Sequence, residues 1–515
     1  LTQLKEVNML GNVIPIPWVS SKTSTPTPPS SSDFILKIQT DLAGGLTNDN
    51  QFQLRRQQYN TDPTIPIIIN YTVDWGDGNI QENITNTVTH TYDVIGTYDI
   101  KISGNYHGCE YYGGGGNDAY KIKEVVQWGT DTVWFRMWQA FRHARNMDIT
   151  ATDAPNLTQC TDLGYCFKYV GNNMVNANES ILTWDTSNIK VFNGTFHGAT
   201  GINIDIPGNW DFSAAEDIDY MFNAAWSMDQ DIGQMNFTNK LKKFNSFMAD
   251  NSSTGWKMTS YDLSSWDTTG INQFRDWSGE NAPLSDANKM PLSPGMDQWD
   301  LSNLQNYSQT GSSTNALDLF GAFQNCKDSS STTFADIVSS WATYLNQCAR
   351  IDFTSCFKNT RMNSSLDSWP MDHGVSFRYM FERNPDFNQS LANWNLSSIP
   401  SQSMMNYGGY EDMFYFATSF NQSLEYLNLG AVDPSGWGYV MLDRIGSGTA
   451  ITTANYDAAL VSWNNQCIAL GAGSAPNADI NNSTNLKYTI GSTAETARTN
   501  LISTYGWNIN DGGGI

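Results

Sequence analysis

The chain is short of charge. Only 15% of its 515 residues are Asp, Glu, Lys or Arg, against about 25% in an ordinary globular protein. What charge there is leans one way: 51 acids face 28 bases, for a formal net charge of −23. So little positive charge speaks against nucleic acid or an anionic membrane surface as partner, because both call for a basic patch. Long hydrophobic runs are missing as well. None approaches the roughly 18 residues of a membrane span. The seven cysteines (Cys109, Cys160, Cys166, Cys326, Cys348, Cys356 and Cys467) form no Cys-x-x-Cys pair. Their odd number leaves at least one unpaired, and disulfides are permitted without being demanded.

Motifs that carry chemistry are absent too. His90, His107, His143, His197 and His373 form no His-Glu-x-x-His set. There is no Gly-x-Ser-x-Gly elbow. The glycines at 113–116 are not followed by Lys-Ser or Lys-Thr, so they form a flexible joint and not a phosphate loop. Adjacent acids such as Glu411 and Asp412 read as solvated turn residues. The expectation is a chain with no enzymatic activity, no cofactor and no metal. The opening Leu-Thr-Gln-Leu-Lys-Glu lacks the basic region and apolar core of a signal peptide. A leader already removed and a sequence that starts late both stay open.

Polarity comes instead from Asn, Ser, Thr and Gly, and aromatics at 13%, with 18 Trp, argue against disorder. Residues 1–32 form a first segment: a mildly apolar arm over 1–19, then a Pro/Ser/Thr linker expected to be extended and semi-rigid. The arm reads equally as a docking element for another protein and as a frayed terminus. Residues 33–104 carry strand patterns at 34–38, 65–73, 88–92 and 98–102, with a tight turn at Asp74-Trp75-Gly76-Asp77-Gly78. With His90-Thr91-Tyr92 and Gly96-Thr97-Tyr98, this stretch resembles the polycystic-kidney-disease (PKD) family. The resemblance implies a β-sandwich used as a spacer or adhesion module. Asp74 and Asp77 read first as turn-forming carboxylates and second as calcium ligands.

Beyond residue 105 the chain repeats itself. Trp-Asp-Thr-Ser-Asn-Ile at 184–189 returns as Trp-Asp-Thr-Thr at 266–269, Trp-Asp-Leu-Ser-Asn-Leu at 299–304 and Trp-Asn-Leu-Ser-Ser-Ile at 394–399. A second phrase, Met-Phe followed by small or polar residues, recurs at 221–225, 380–384 and 413–417. Trp184, Trp210, Met235 as a degenerate copy, Trp266, Trp299, Trp369 and Trp394 form one ladder. Phe167, Phe196 and Phe222, then Phe357, Phe381 and Phe414, form a second. The unit is about 25 residues, with insertions of six to eight in some copies, and the long step from Trp299 to Trp369 should hold two units. So short a unit cannot bury its own apolar face and must stack on its neighbours. The Trp and Phe ladders should point inward, and Cys166 and Cys356 fill the slot that Met221 and Met380 fill. Met-Phe-x-x-Ala has the spacing of one short helical turn.

The run from Phe387 to Ile399, Phe-Asn-Gln-Ser-Leu-Ala-Asn-Trp-Asn-Leu-Ser-Ser-Ile, resembles the repeat of the DUF285, or BspA-like, surface proteins. So does Ser-Phe-Asn-Gln-Ser-Leu at 419–424. The resemblance spans roughly 130–450 and is degraded at 231–260 and 305–350. It implies adhesion or recognition on bacterial surfaces or on phage and virus particles. The expected fold class is mainly β with short helices: a PKD-like β-sandwich over 33–104, a leucine-rich-repeat-like solenoid over 105–450, and a C-terminal cap over 451–515 with helical spacing at 454–463 and 494–502.

Binding residues are expected off the ladders, on insertions and joints. The candidates are Tyr106, Tyr111 and Tyr112 beside the glycine joint, and Trp256, Trp277 and Trp437 in insertions; each could instead pack under its own loop. About a dozen Asn-x-Ser/Thr sites, Asn193, Asn363, Asn388 and Asn421 among them, arise mostly from composition. The expected function is a non-enzymatic structural or recognition role outside the cell. Two settings compete. One is a virion component such as a fibre, decoration or receptor-binding protein, the other a bacterial cell-surface adhesin or carbohydrate-binding protein. The first is favoured by the arm and by the lack of a wall-anchor signal. Partners would be virion or surface proteins through the arm, and a host glycan or surface protein on the repeats. Homo-oligomerisation stays open.

Overall fold

The computed structural model describes residues 32–57, 68–112, 117–171, 174, 178–248, 261–277, 289–304, 317–399, 409–431, 442–471, 475–476 and 478–515. The arm and nearly all of the linker, the glycine joint, Trp256 and Trp437 lie outside these residues.

Period-two alternation builds the first sheet. Phe34, Leu36 and Ile38 of β1 (Phe34–Gln39) are buried while Ile35, Lys37 and Gln39 are half-buried, as expected of a strand with one covered face. The other strands are β2 (Gln51–Leu54), β3 (Asn70–Asp74), β4 (Ile80–Ile84), β5 (Val88–Thr91), β6 (Thr97–Asn105), β7 (Ile122–Gln127) and β8 (Asp148–Ile149). Six of them form one sheet in the order β4-β3-β6-β1-β7-β8, and β2 pairs with β5 separately. The Asp74 turn is held by its own carboxylates: the Gly76 amide donates to Asp74 (3.0 Å) and the Asn79 amide to Asp77 (2.9 Å). Asp77 also meets His90 Nε2 at 2.8 Å, and the His90 ring stacks on Trp75 at 4.7 Å. Gly76 has φ 76°, and a Cβ there would lie 2.6 Å from the Asp99 carbonyl oxygen, so only glycine fits.

The sheet does not stop at residue 104. β7 pairs antiparallel with β1 and parallel with β8, which carries it into the repeats. From there the pairing between repeats is parallel. Asp162 bridges to Val191, Val191 to Asp217 and Asp217 to Lys243. Residues 243–245 pair with 273–275, 317–318 with 351–352, and Ile351 with Gly374. Parallel pairing at a step of one repeat requires the chain to complete a circuit between successive strands.

The interior of those circuits is aromatic. Phe141, Phe167, Phe196 and Phe222 stack in sequence, with centroids 5.5–5.8 Å apart and near-parallel rings. Phe323, Phe357, Phe381 and Phe414 continue the pattern at 5.6–5.9 Å. Trp184, Trp210, Trp266, Trp299, Trp369 and Trp394 are all buried. Several indoles are tied to an earlier repeat through the ring N–H: Trp210 donates to the Ile181 carbonyl (2.7 Å), Trp266 to Ile232 (3.2 Å) and Trp369 to Val338 (2.9 Å). The long step after Trp299 is bridged by Trp341, which stacks on Trp299 at 6.3 Å and donates to the Met296 carbonyl at 3.1 Å. Trp341 sits on the helix Phe334–Leu345, whose start carries a reciprocal Thr333/Asp336 capping box.

One local expectation is overturned. The Met-Phe phrase is not a helical turn. The residues two before and two after the Phe are left-handed in repeat after repeat: Tyr165 and Tyr169 (φ 55° and 60°), Tyr220 and Ala224 (56° and 55°), Tyr379 and Arg383 (58° and 55°). Left-handed residues at both flanks forbid α-helix. Backbone amides alternate in destination. Met221 N–H donates back to Ile218 within the turn (3.2 Å), while Phe222 N–H donates onward to Phe247 of the next repeat (2.9 Å). A helix would consume both internally, so the turn exists in order to hydrogen-bond outward.

The last segment is different in kind. Helices Thr453–Leu470 and Thr493–Tyr505 pack together, strands Asp479–Ser483 and Asn508–Asp511 run parallel, and Trp463 meets Trp507 at 5.9 Å. All seven cysteines are buried thiols. Among the described residues, no helix is long and apolar enough to cross a membrane.

Candidate functional site

Three of the expected surface aromatics are not at the surface. Tyr106 and Tyr111 are fully buried, with their hydroxyls donating to the carbonyls of Arg55 (2.5 Å) and Gln53 (3.3 Å). Lying beside the joint, they lock the first sheet onto the first repeat. Trp277 is fully buried against Phe244 (4.9 Å) and Trp299 (6.3 Å), filling volume where the repeat is irregular. Tyr112 is 56% exposed. Among the described residues, nothing brings these candidates together into one site.

Another face does gather polar side chains. The left-handed residues around each buried Phe carry their neighbours' side chains outward along one row. Charges there pair between adjacent repeats: Arg136 with Asp162 (2.6 Å), Lys243 with Asp217 (3.0 Å), Arg275 with Asp318 (3.2 Å), Lys358 with Glu382 (2.8 Å), Arg378 with Glu411 (2.6 Å), and Arg444 with Asp412. Asp219 accepts instead from the Asn245 backbone (2.6 Å) and side chain (3.1 Å). Burial, with Asp217 adding to it, pushes its carboxyl up to about 7. Asp352 accepts from the Thr354 amide at 2.9 Å, and burial, with Asp318 next to it, pushes it up to about 6.

At one end of this row the pairing fails. Arg142, His143, Arg145, Lys168 and His197 come together on three successive repeats. The backbone ladder fixes them: His143 N–H donates to the Lys168 carbonyl and Tyr169 N–H to the His197 carbonyl, both at 2.8 Å. Lys168 Nζ stands 4.8 Å from the Tyr165 ring centre and 4.9 Å from that of Tyr169. His143 lies between the rings of Tyr120 and Tyr169, and His197 next to Tyr169. Burial, then the surrounding cations, pushes both imidazoles down to about 4. Burial, then Arg142, pushes Lys168 down to about 8. Such an arrangement is suited to holding negative charge. Its trace in the sequence is Phe-Arg-His-Ala-Arg at 141–145 and Phe-Lys-Tyr at 167–169 within an acidic chain, a local reversal of sign that composition averages away.

A cleft of about 380 Å³ is lined by Asp231, Tyr261, Asp262 and the serines at 329–331. Its two acids already accept from the amides of Gly233 (3.0 Å) and Ser264 (2.9 Å), so they serve their own turns. Among the described residues, no group of three or more His, Cys, Asp or Glu is placed to hold a metal ion.

Against known proteins, the family model for DUF285, described as Mycoplasma protein of unknown function, matches residues 135–261 and 317–436. That match supports assigning these two stretches to the DUF285 family. They cover both Phe ladders together with Trp184, Trp210, Trp369 and Trp394, while Trp266 and Trp299 fall between them. No curated protein and no solved structure matches the chain.

Proposed function

We propose that this chain, with its DUF285-type repeats, is a non-enzymatic extracellular recognition protein. Its repeats form a leucine-rich-repeat-like solenoid, its first sheet belongs to a PKD-like sandwich that acts as a spacer, and its setting is a phage or virus particle. The observation that carries this reading is the division of labour in the repeats. The repeated Trp and Phe are all spent on the interior, and what the stack presents outward is a long, fixed row of polar side chains. Stacked repeats that touch only their neighbours characteristically yield extended binding surfaces. The apolar 1–19 segment and the Pro/Ser/Thr linker after it supply a sequence suited to docking on a particle.

A second reading is a bacterial cell-surface adhesin, favoured by the mention of Mycoplasma in the family description. Immunogold labelling of purified particles and of cells separates the two. Label on particles supports the virion setting, and label on cells alone overturns it. Deleting residues 1–19 should abolish attachment and leave the melting of the remainder unchanged. A truncated chain that still attaches would sink the docking arm.

A further inference from the structure

Several cations that lie on the repeats are paired with an acid of a neighbouring repeat. Along the outward row, Arg136, Lys243, Arg275, Lys358, Arg378 and Arg444 each face a carboxylate. Arg142, Arg145 and Lys168 do not. Among the described residues, Arg142 donates only to the Gln139 side chain (3.0 Å), Arg145 lies 5.4 Å from the Tyr120 ring centre, and Lys168 has only its two tyrosines. The acids near Tyr165 are already engaged, Asp217 by Lys243 and Asp219 by Asn245.

Unmet polar groups concentrate at the same place. His143 is only 8% exposed, and neither of its ring nitrogens has a partner. His197 Nδ1 and Arg142 Nε are likewise buried and unpartnered. Buried polar atoms of native proteins are nearly always satisfied, so four in one cluster call for an explanation. Next to them lie two tyrosines in an unusual seat. Tyr165 and Tyr169 rest flat against Gly194 and Gly198 of the next repeat, where any Cβ would run into their rings. Their hydroxyls are bonded to nothing among the described residues, whereas the hydroxyls of Tyr71, Tyr92, Tyr106 and Tyr111 all donate to backbone carbonyls.

We infer that this face binds an acidic saccharide, its carboxylate or sulfate held by Arg142 and Lys168 and its hydroxyls met by Tyr165 and Tyr169. Charge calls for an anion, and free phenolic hydroxyls next to it call for a hydroxyl-rich one. An isolated basic island in a chain of net charge −23 suits a single acidic sugar better than an extended polyanion, which the surrounding acids would repel. The inference rests on the recognition reading for its biological setting.

The test is calorimetric titration of the full chain at low salt, where screening is weakest. Four probes are used: a uronate-containing disaccharide, a sulfated disaccharide, their neutral counterpart and inorganic sulfate. The expected result is binding of at least one acidic disaccharide, about tenfold or more tighter than the neutral one, and lost by a similar factor in Arg142→Gln and in Lys168→Gln. Lys240→Gln, at an exposed turn lysine near Asp211 and outside the cluster, should bind as the parent does. Should the Lys168 variant melt early, Arg145→Gln, at an exposed residue, reads the same electrostatics without touching the interior. No binding of either acidic disaccharide, or unchanged affinity in the Arg142 and Arg145 variants, overturns the site. Inorganic sulfate bound as tightly as the sulfated sugar overturns the saccharide assignment. A chain found on particles that binds neither disaccharide overturns this site and leaves the virion setting standing.

Discussion

Gln422 reaches back one repeat to Asn388, donating from its side-chain amide to both the main-chain oxygen (3.2 Å) and the side-chain oxygen (2.9 Å) of that residue. The same clasp joins Gln389 to Asn363 and Asn455 to Asn421. Each Asn side chain also accepts from a backbone amide in the following repeat: Asn363 from Asn388, Asn388 from Asn421 and Asn421 from Thr452. The Phe-Asn-Gln-Ser phrase is therefore a polar ladder on the outside of the aromatic one. Three of the Asn-x-Ser/Thr sites are its rungs.

Asn388→Ala should leave the Asn421 amide without an acceptor and the Gln422 side chain with only the main-chain one, at a cost of about 1–3 kcal/mol. Asn388→Asp keeps the accepting oxygen and should cost less. Chemical denaturation measures both, and hydrogen exchange at the Asn421 amide should quicken only in the alanine variant. Equal losses in the two variants would show that the clasp is not what matters.

Trp394 packs against Phe377 (6.3 Å) and Phe381 (6.2 Å). Trp394→Ala should cost about 3–5 kcal/mol through the cavity it leaves. Its indole N–H is buried without a partner, so Trp394→Phe should be much milder. An alanine variant that melts with the parent would mean the inward face has been misassigned.

Left-handed positions give opposite signs at two residues. Ala224 sits at φ 55°, and Ala224→Gly should stabilise by up to about 1 kcal/mol as backbone strain is relieved. Gly198 sits at φ 68° under the Tyr169 ring, and Gly198→Ala should destabilise by more than about 1 kcal/mol. Thermal melts of the pair test the turn geometry, and shifts of the same sign would contradict it.

Asp352 sets a pH dependence. Its folded carboxyl is pushed up to about 6 from an ordinary value near 3.8, so the folded state holds a proton that the unfolded state has released. The stability this group contributes is full below about pH 4 and is lost as pH rises through about 6. Asp352→Asn keeps an acceptor for the Thr354 amide and does not ionise. It should match the parent near pH 4 and exceed it by roughly 2–3 kcal/mol at pH 7.5. A constant difference across that range would remove Asp352 as the titrating group.

Much of the interior was legible because recurrence encodes packing directly. A Trp or Phe that returns at one interval must occupy one place in every unit, and the place that tolerates it is the core. Trp341 escaped the ladder because an insertion moved it onto a helix, where its spacing no longer matched. The Met-Phe turns escaped because apolar spacing reports which side chains face inward and says nothing of the sign of φ; tyrosine, arginine and phenylalanine are not residues that advertise a left-handed backbone. Tyr106, Tyr111 and Trp277 stand off the repeat and are nonetheless buried, because departure from a repeat does not imply exposure. In a closed stack, an irregular unit leaves volume that a large ring must fill.

The sequence by itself determined the period, the inward residues and the excess of acid, since each is a property of order or composition. Only the tertiary structure decided where the scarce positive charge would stand unopposed. Arg142 and Lys168 lie 26 residues apart in the chain, and they became neighbours when one repeat settled on the next, bonded from His143 to Lys168. Charge placement depends on which partners stacking brings within reach, and that is a fact of three dimensions.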